Sequence, residues 1–335
     1  MPIQNVGDMS QHFQSLRQVG EVKTTLNRLS NELATQRKSD VTASLGGATA
    51  RLETYEREIN RLTSYASAAE KVGQRLAFMQ TTLTGVEDVR SAATSQFLGI
   101  TTGSRDADVQ SAAETGASAF SSFVTAFNQR LGDFALFSGA ATDQQPLASA
   151  DDMMADIKAS VVSLDSAEDI LAAVDTWFDD PMGGFATMGY LGDTGTPLKQ
   201  AIGTGGTIEI NARADNASTI ALLKSAAVAA LADDAVSGLT KTDQAKLIAE
   251  AGQMMLNAGD SLTATRASIG ANEAKVAEAG VTLSTQITAF QIDRNVLTLA
   301  DPFETATRLQ DVQLQLEMQY TVTARLSQLS LVNFL

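Results

Sequence analysis

The chain has 335 residues, of which 44% are hydrophobic, 19% charged and 5% aromatic, with a formal net charge of −15. That length supports two or three domains with buried cores, but the chain is poor in the aromatics that fill compact enzyme cores. The acidic balance excludes nucleic acid and anionic membrane surfaces as main partners, since phosphate neutralisation needs Lys and Arg; the absence of cysteine excludes disulfides, thiolate metal sites and a Cys nucleophile.

The N-terminal Met1-Pro2-Ile3-Gln4-Asn5 lacks the basic and apolar regions of a signal peptide, so export would need a route that does not cleave. No run of about 18 apolar residues occurs, and no membrane insertion is expected. Proline is absent from Ile3 to Gln145 and from Leu198 to Asp301, while Pro146, Pro181 and Pro197 fall in the middle. Because proline breaks helices, the chain reads as long helices at both ends around an irregular insert.

The first helical segment carries Val19, Val22, Leu26, Leu29 and Leu33 at heptad steps. Leu52, Tyr55, Ile59, Leu62, Ala66 and Ala69 continue the pattern. A phase slip is expected near Gly73 before it resumes at Leu76, Met79, Leu83 and Val86. Gly116, Phe120, Phe123, Phe127 and Phe134 read as a further stripe.

The insert, residues 140–214, has different chemistry. Between Gly139 and Gln200 there are two basic residues against eleven acidic ones. Thr207-Ile208-Glu209-Ile210-Asn211 alternates as a short strand, and a helix is expected from about Asn216 to Ala232. Trp177 and Phe178 are expected to form the small core of this mixed α/β module.

Toward the C-terminus, Ile248, Met255, Leu262, Ile269, Val276, Leu283, Phe290 and Leu297 are spaced seven apart without interruption. A helix from Thr240 to Ala300 would run roughly 90 Å at 1.5 Å per residue. Its intervening positions (Ala251, Ala258, Thr265, Asn272, Ala279) are small or polar, so the seam is narrow and needs a partner helix. Asp301-Pro302 then interrupts, and proline in the first turn with Glu304 behind it marks a new helix start. On that last helix Leu309, Val312, Leu316 and Tyr320 make one apolar face, and Leu314, Met318 and Val322 another. A helix apolar on two faces is buried by more than one neighbour. The fold class is therefore mainly α: a long antiparallel helical coiled-coil bundle of N- and C-terminal segments, with a small mixed α/β outer domain inserted between them.

Catalytic and metal chemistry are hard to place. The one histidine, His12, has no G-x-S-x-G to serve, and with no cysteine it cannot complete a usual zinc set. Gly203-Thr204-Gly205-Gly206 precedes its candidate strand, the reverse of a phosphate loop, and reads as a turn. The pairs Asp151-Asp152, Asp179-Asp180 and Asp233-Asp234 fit no calcium-loop spacing and read as solvated acidic surface. Asn216-Ala217-Ser218 matches the short glycosylation pattern, which is common by chance. No catalytic residue, cofactor or metal is expected.

Three segments resemble the flagellin superfamily, and within it the hook-associated branch that joins hook to filament. They are Leu26-Asn27-Arg28-Leu29-Ser30-Asn31-Glu32-Leu33; Leu136-Phe137-Ser138-Gly139 with Thr142 and Pro146; and Ala306-Thr307-Arg308-Leu309 through Ala324-Arg325-Leu326-Ser327-Gln328-Leu329-Ser330-Leu331. The ending Asn333-Phe334-Leu335 is closer to the junction branch than to filament flagellin, while Ala34-Thr35-Gln36-Arg37-Lys38-Ser39 departs from the family's usual continuation. The resemblance implies a non-enzymatic subunit exported without a cleaved signal peptide to the bacterial flagellum, outside the cell. It would be guarded by an export chaperone and assemble with itself as a ring or tube. Its neighbours would be another hook-associated protein and flagellin. It further implies a terminal-helix assembly domain (1–40 and 301–335), a helical rod (41–139 and 215–300) and the outer domain (140–214). The assembly contacts would fall to Val22, Leu26, Leu29, Leu33, Leu309, Leu316, Val322, Leu326 and Leu329. Two alternatives stay open: a filament flagellin of the same superfamily, and, of a different class, a coiled-coil signalling or binding module.

Overall fold

A computed structural model describes residues 4–47, 49–195, 197–203, 205–233 and 238–332, except the side chains of residues 4–9, 11, 12 and 326–332. The chain divides into two compact units, one of residues 1–63 with 285–335 and one of residues 64–284. The elements are α1 (Gln4–Thr35), α2 (Val41–Ser44), α3 (Ala50–Phe97), α4 (Asp106–Phe127), β1 (Arg130–Leu131), β2 (Phe134–Ala135), α5 (Ala150–Val161), α6 (Ala167–Asp179), a π-helical turn (Phe185–Gly189), β3 (Leu198–Ala201), β4 (Thr207–Ile210), α7 (Ala217–Ala230), α8 (Lys241–Thr298) and α9 (Pro302–Val332). Long helices dominate and the two sheets are two-stranded hairpins, so the mainly helical fold class holds.

In the unit of residues 64–284, α3 and α8 run antiparallel. Gln80 donates to the Arg266 carbonyl (2.7 Å) and Arg90 to the Met255 carbonyl (3.3 Å), so positions rise on one helix as they fall on the other. The seven-residue line on α8 is the buried line: Ile248, Met255, Leu262, Ile269, Val276 and Leu283 are all buried. It meets Ala69, Val72, Leu76, Met79, Leu83 and Val86 of α3, which are buried as well. The helix passes through Gly73 without a break. What changes there is only which position flanks the Ala69-Leu76-Leu83 line.

Arg90 shows how a charge is accommodated beside this seam. Its guanidinium holds both Glu87 oxygens (2.6 and 2.7 Å), which pulls the Glu87 carboxyl below its ordinary value. Gly259 on α8 leaves it room, since a Cβ there would lie 3.1 Å from the guanidinium carbon.

α4 and α7 pack face to face alongside this pair: Thr115 of α4 donates to Gln96 of α3 (2.9 Å), and the Ser218 hydroxyl of α7 lies 3.2 Å from the Thr265 hydroxyl of α8. Helix α7 is rich in alanine and leucine, and Leu222, Leu223, Ala226, Ala227 and Val228 are fully buried, as an all-round apolar helix must be. On α4 the expected stripe Gly116, Phe120, Phe123 and Phe127 is buried. Phe134 does not continue it: α4 ends at Phe127, and Phe134 lies on β2 with the Arg75 guanidinium 3.4 Å from its ring centre.

Leu136-Phe137-Ser138-Gly139 forms a crossing of several chain segments. The Phe137 carbonyl accepts from Ala214 N–H (2.8 Å), and the Ser138 carbonyl from Asp193 N–H (2.9 Å). Gly139 sits at φ +68, and a Cβ there would lie 2.9 Å from the Asp193 carbonyl. Burial, aided by the Asp215 charge, pushes the Tyr190 phenol above its ordinary value, so it stays a donor to the Asp193 carbonyl (3.1 Å).

Residues 140–214 hold α5, α6, the π-helical turn and the β3–β4 hairpin. Trp177, Phe178, Phe185 and Tyr190 are buried together, and Trp177 Nε1 donates to Asp156 (2.7 Å). Ser149 and Ser166 cap α5 and α6 through the N–H groups of Asp152 and Asp169. The glycines of Gly203–Gly206 make the hairpin turn, with Gly203 and Gly205 at positive φ. Strand β4 lies where alternation placed it, and α7 begins after Asn216.

Gly116 marks the closest approach of α4 to α7. A Cβ there would lie 2.6 Å from Ala229 Cβ and 2.7 Å from Ala230 N, and the backbone cannot yield cheaply. Gly116→Ala is expected to lower stability by about 1–3 kcal/mol despite alanine's better helix propensity. Gly85→Ala, in open space on α3, is expected to raise it by up to about 1 kcal/mol. Urea unfolding of both variants checks the contrast.

Candidate assembly surface

In the unit of residues 1–63 and 285–335, α1 pairs with α9. At one end a bridge joins Arg37 to Leu299 in antiparallel sense, and Ala300 N–H donates to the Gln36 carbonyl (3.1 Å). At the other, Ser15 and Thr323 hydroxyls lie 3.5 Å apart. The two helices therefore run antiparallel, with Lys23 over the Tyr320 ring at 5.6 Å from its centre.

Each chain break at this end has a local cause. Helix α1 stops where Gln36 takes a left-handed φ of 56, which costs a non-glycine residue about 1 kcal/mol. Lys38 offsets that strain by donating its N–H to the Thr298 carbonyl (3.0 Å) and its ammonium to the Leu297 carbonyl (3.2 Å). The buried Glu32 carboxylate binds Arg28 (3.0 Å) and accepts from Ser39 N–H (2.9 Å). Helix α9 starts at Pro302, as the sequence indicates, and Asp301 caps it by accepting from Phe303 and Glu304 N–H (2.8 and 3.1 Å).

The expected contact residues divide by depth. Val22 and Leu29 are buried inside the chain at 9% and 3% exposure. Leu26, Leu33, Leu309 and Leu316 are half-buried along the same helices. Val322 is exposed by 55%, while the side chains of Leu326, Leu329 and His12, and all of Asn333-Phe334-Leu335, lie outside what is described. Val322 continues a line of exposed Leu314 (57%) and Met318 (54%), so the second apolar face of α9 has no cover within the chain.

This exposure is concentrated. Seventeen large apolar side chains are exposed among the described residues, and ten belong to this unit, which is about a third of the chain. They are Phe13 and Leu16 on α1; Ile292, Val296, Leu299 and Phe303 around the α8–α9 break; and Leu314, Met318, Tyr320 and Val322 on α9. Single exposed apolar residues are ordinary, but contiguous rows on paired helices mark a surface made to be covered. Phe13 and Leu16 were missed in the sequence because they fall outside the Val19–Leu33 heptad line.

Among the described residues no cluster of His, Cys, Asp or Glu could hold a metal ion, and no helix is long and apolar enough to cross a membrane. Asp152 accepts from the hydroxyl of the α5 cap Ser149 (2.6 Å), while Asp179, together with Asp175, grips Lys224 of α7, whose raised pKa is held up by these two carboxylates against burial. Asp233 accepts from Gln110 (3.0 Å), and Asp234 lies outside the described residues.

Comparison with known proteins places the C-terminal helices. Residues 253–335 match the family model of the bacterial flagellin C-terminal helical region. That segment is similar to the flagellin C-terminal region over about a quarter of the chain. The match takes in most of α8 and all of α9, the helix with the exposed second face. A solved structure from Vibrio parahaemolyticus, provisionally described as a flagellar hook-associated protein, is similar at 16% identity and a TM-score of 0.47, over 75% of this chain and 94% of that one. A likeness at that level carries no functional argument. A comparison with curated proteins returns no match.

Buried and exposed positions on the paired helices should respond differently. Leu29→Ala is expected to cost about 2–4 kcal/mol, as for a buried leucine. Leu314→Ala, on the exposed face, is expected to change stability by less than about 0.5 kcal/mol in the unassembled chain. Thermal unfolding monitored by circular dichroism separates the two.

Proposed function

We propose that this chain is a non-enzymatic structural subunit of the bacterial flagellum that assembles through α1 and α9. The observation that carries the reading is the uncovered apolar surface of the α1–α9 pair, whose α9 lies in a segment matching the flagellin C-terminal helical region. Residues 1–40 and 301–335 supply the assembly contacts. Val22, Leu26, Leu29, Leu33, Leu309 and Leu316 keep the pair in register. Val322, with Leu314 and Met318, meets neighbouring copies, and Leu326 and Leu329 extend that contact. Burial of such rows is the dominant favourable term in association.

Within the flagellum the reading is the hook–filament junction, outside the cell, between another hook-associated protein and flagellin, after export under the care of a chaperone. Support for this step comes from the sequence resemblance to the hook-associated branch, with Leu136-Phe137-Ser138-Gly139, Thr142 and Pro146 similar to the superfamily's own segment. Electron microscopy of a strain lacking the gene tests it. Hooks without filaments, and flagellin monomer in the medium, are expected. Normal filaments would contradict the junction role, and restoration of filaments built from this chain itself would make it a filament flagellin.

A further inference from the structure

Helix α9 offers α1 a choice of two faces. Leu309, Val312 and Leu316 are half-buried on the side of α1, while Leu314, Met318 and Val322 stand almost opposite, since residues two apart on a helix differ by about 200°. The face in use is no more apolar than the other. It also carries Thr305, Gln319 and Thr323, and the Gln319 Oε1 atom is buried there without a hydrogen-bond partner, which disfavours this seating. The outer face has exposed Asp311 and Arg325 at its two ends.

Side-chain contacts across the pair do little to decide between the faces. The Ser15 and Thr323 hydroxyls are 3.5 Å apart, at the limit of a hydrogen bond. Lys23 reaches a Tyr320 ring that is itself 47% exposed, where a cation–π contact is weak. The ion pairs of these helices, Arg28 with Glu32 and Arg308 with Glu304, each lie within one helix.

The directional contacts gather at the end of the pair. Lys38 donates its N–H to the Thr298 carbonyl and its ammonium to the Leu297 carbonyl, and Ala300 N–H donates to the Gln36 carbonyl. Glu32 accepts from Ser39 N–H, which folds the residues after α1 back onto its last turn. Gln36 follows α1 directly, and Asp301 is the single residue between Ala300 and α9. Backbone positions fixed here therefore carry straight into both helices. The left-handed backbone of Gln36 fits this role, because strain at a non-glycine residue persists only where its surroundings hold it.

We propose that the clasp of Glu32, Gln36 and Lys38 with Thr298 and Ala300 chooses the face of α9, turning Leu309, Val312 and Leu316 to α1 and leaving Leu314, Met318 and Val322 for neighbours. The inference rests on the assembly reading above and adds to it the residues that set its specificity. The apolar side chains hold the pair once it is seated; the clasp decides how it is seated.

The absence of native cysteine lets paired cysteines report that seating in the full, unassembled chain. Ser15→Cys with Thr323→Cys reads the present face, and Val22→Cys with Met318→Cys reads the opposite one. Each pair is oxidised with the clasp intact and with the clasp broken by Glu32→Ala and Lys38→Pro, the proline removing the N–H that Thr298 accepts. With the clasp intact, the first pair is expected to close and the second to stay open. With it broken, closure of the first is expected to fall about tenfold and closure of the second to appear. Glu32→Gln, which keeps an acceptor for Ser39, is expected to behave as the intact clasp does. Equal closure of the first pair in both chains would overturn the inference and leave the assembly reading standing. Loss of both closures would make the clasp a contact that holds the pair together rather than one that chooses its face, which overturns the inference as well. If the broken-clasp chain closes the second pair and, without the cysteines, still polymerises as the wild type does, the clasp stands and the assembly reading through the outer face of α9 falls.

Discussion

Two paired helices can each bury one stripe against the other, and α9 carries two. That constraint organises the terminal unit. The Leu309–Leu316 side of α9 is satisfied by Val22, Leu26 and Leu29 of α1, and the Leu314–Val322 side then has nowhere to go within the chain. The clasp between Gln36–Lys38 and Thr298–Ala300, pinned by buried Glu32, fixes which side of α9 is consumed in this way. An exposed row is thus a consequence of the pairing rather than an accident of composition.

The unit of residues 64–284 solves the opposite problem. The narrow α8 seam is matched by a narrow seam on α3, and α7, apolar all round, is enclosed by α4 and the elements around it. Several charges that approach this core are paired, Arg90 with Glu87, Lys224 with Asp175 and Asp179, and Arg213 with Asp215, while Arg75 lies over the Phe134 ring. The acidic pairs that could have suggested metal or acid–base chemistry are partly consumed by helix capping and by these ion pairs.

Much of the fold was legible because it depends on period and punctuation. The seven-residue line of α8, the helix start at Pro302, strand β4 and the glycine turn before it all follow from local rules. Strand β3 was not legible, since Leu198-Lys199-Gln200-Ala201 shows no alternation of apolar and polar residues and takes its conformation from pairing with β4. Phe134 was misplaced because it lies on a hairpin strand under Arg75 of α3, at a spacing from Phe127 that imitates a helix. The Ser149 and Ser166 caps carry a readable Ser-x-x-Asp signature. The grip of Asp175 and Asp179 on Lys224 does not, because its partners are far apart in sequence and no local pattern joins them. For the assembly surface, the two faces of α9 could be read from spacing, but which face remains uncovered required knowing where α1 lies.

The central claim is that the uncovered face of α9 is an assembly surface and contributes nothing to the fold of the single chain. Sedimentation velocity of the full chain against a Leu314→Glu, Met318→Glu, Val322→Glu variant, with melting curves for both, tests it most directly. The account predicts that the wild-type chain forms polymer while the variant stays monomeric with an unchanged melting temperature. A variant that polymerises as the wild type does would contradict it.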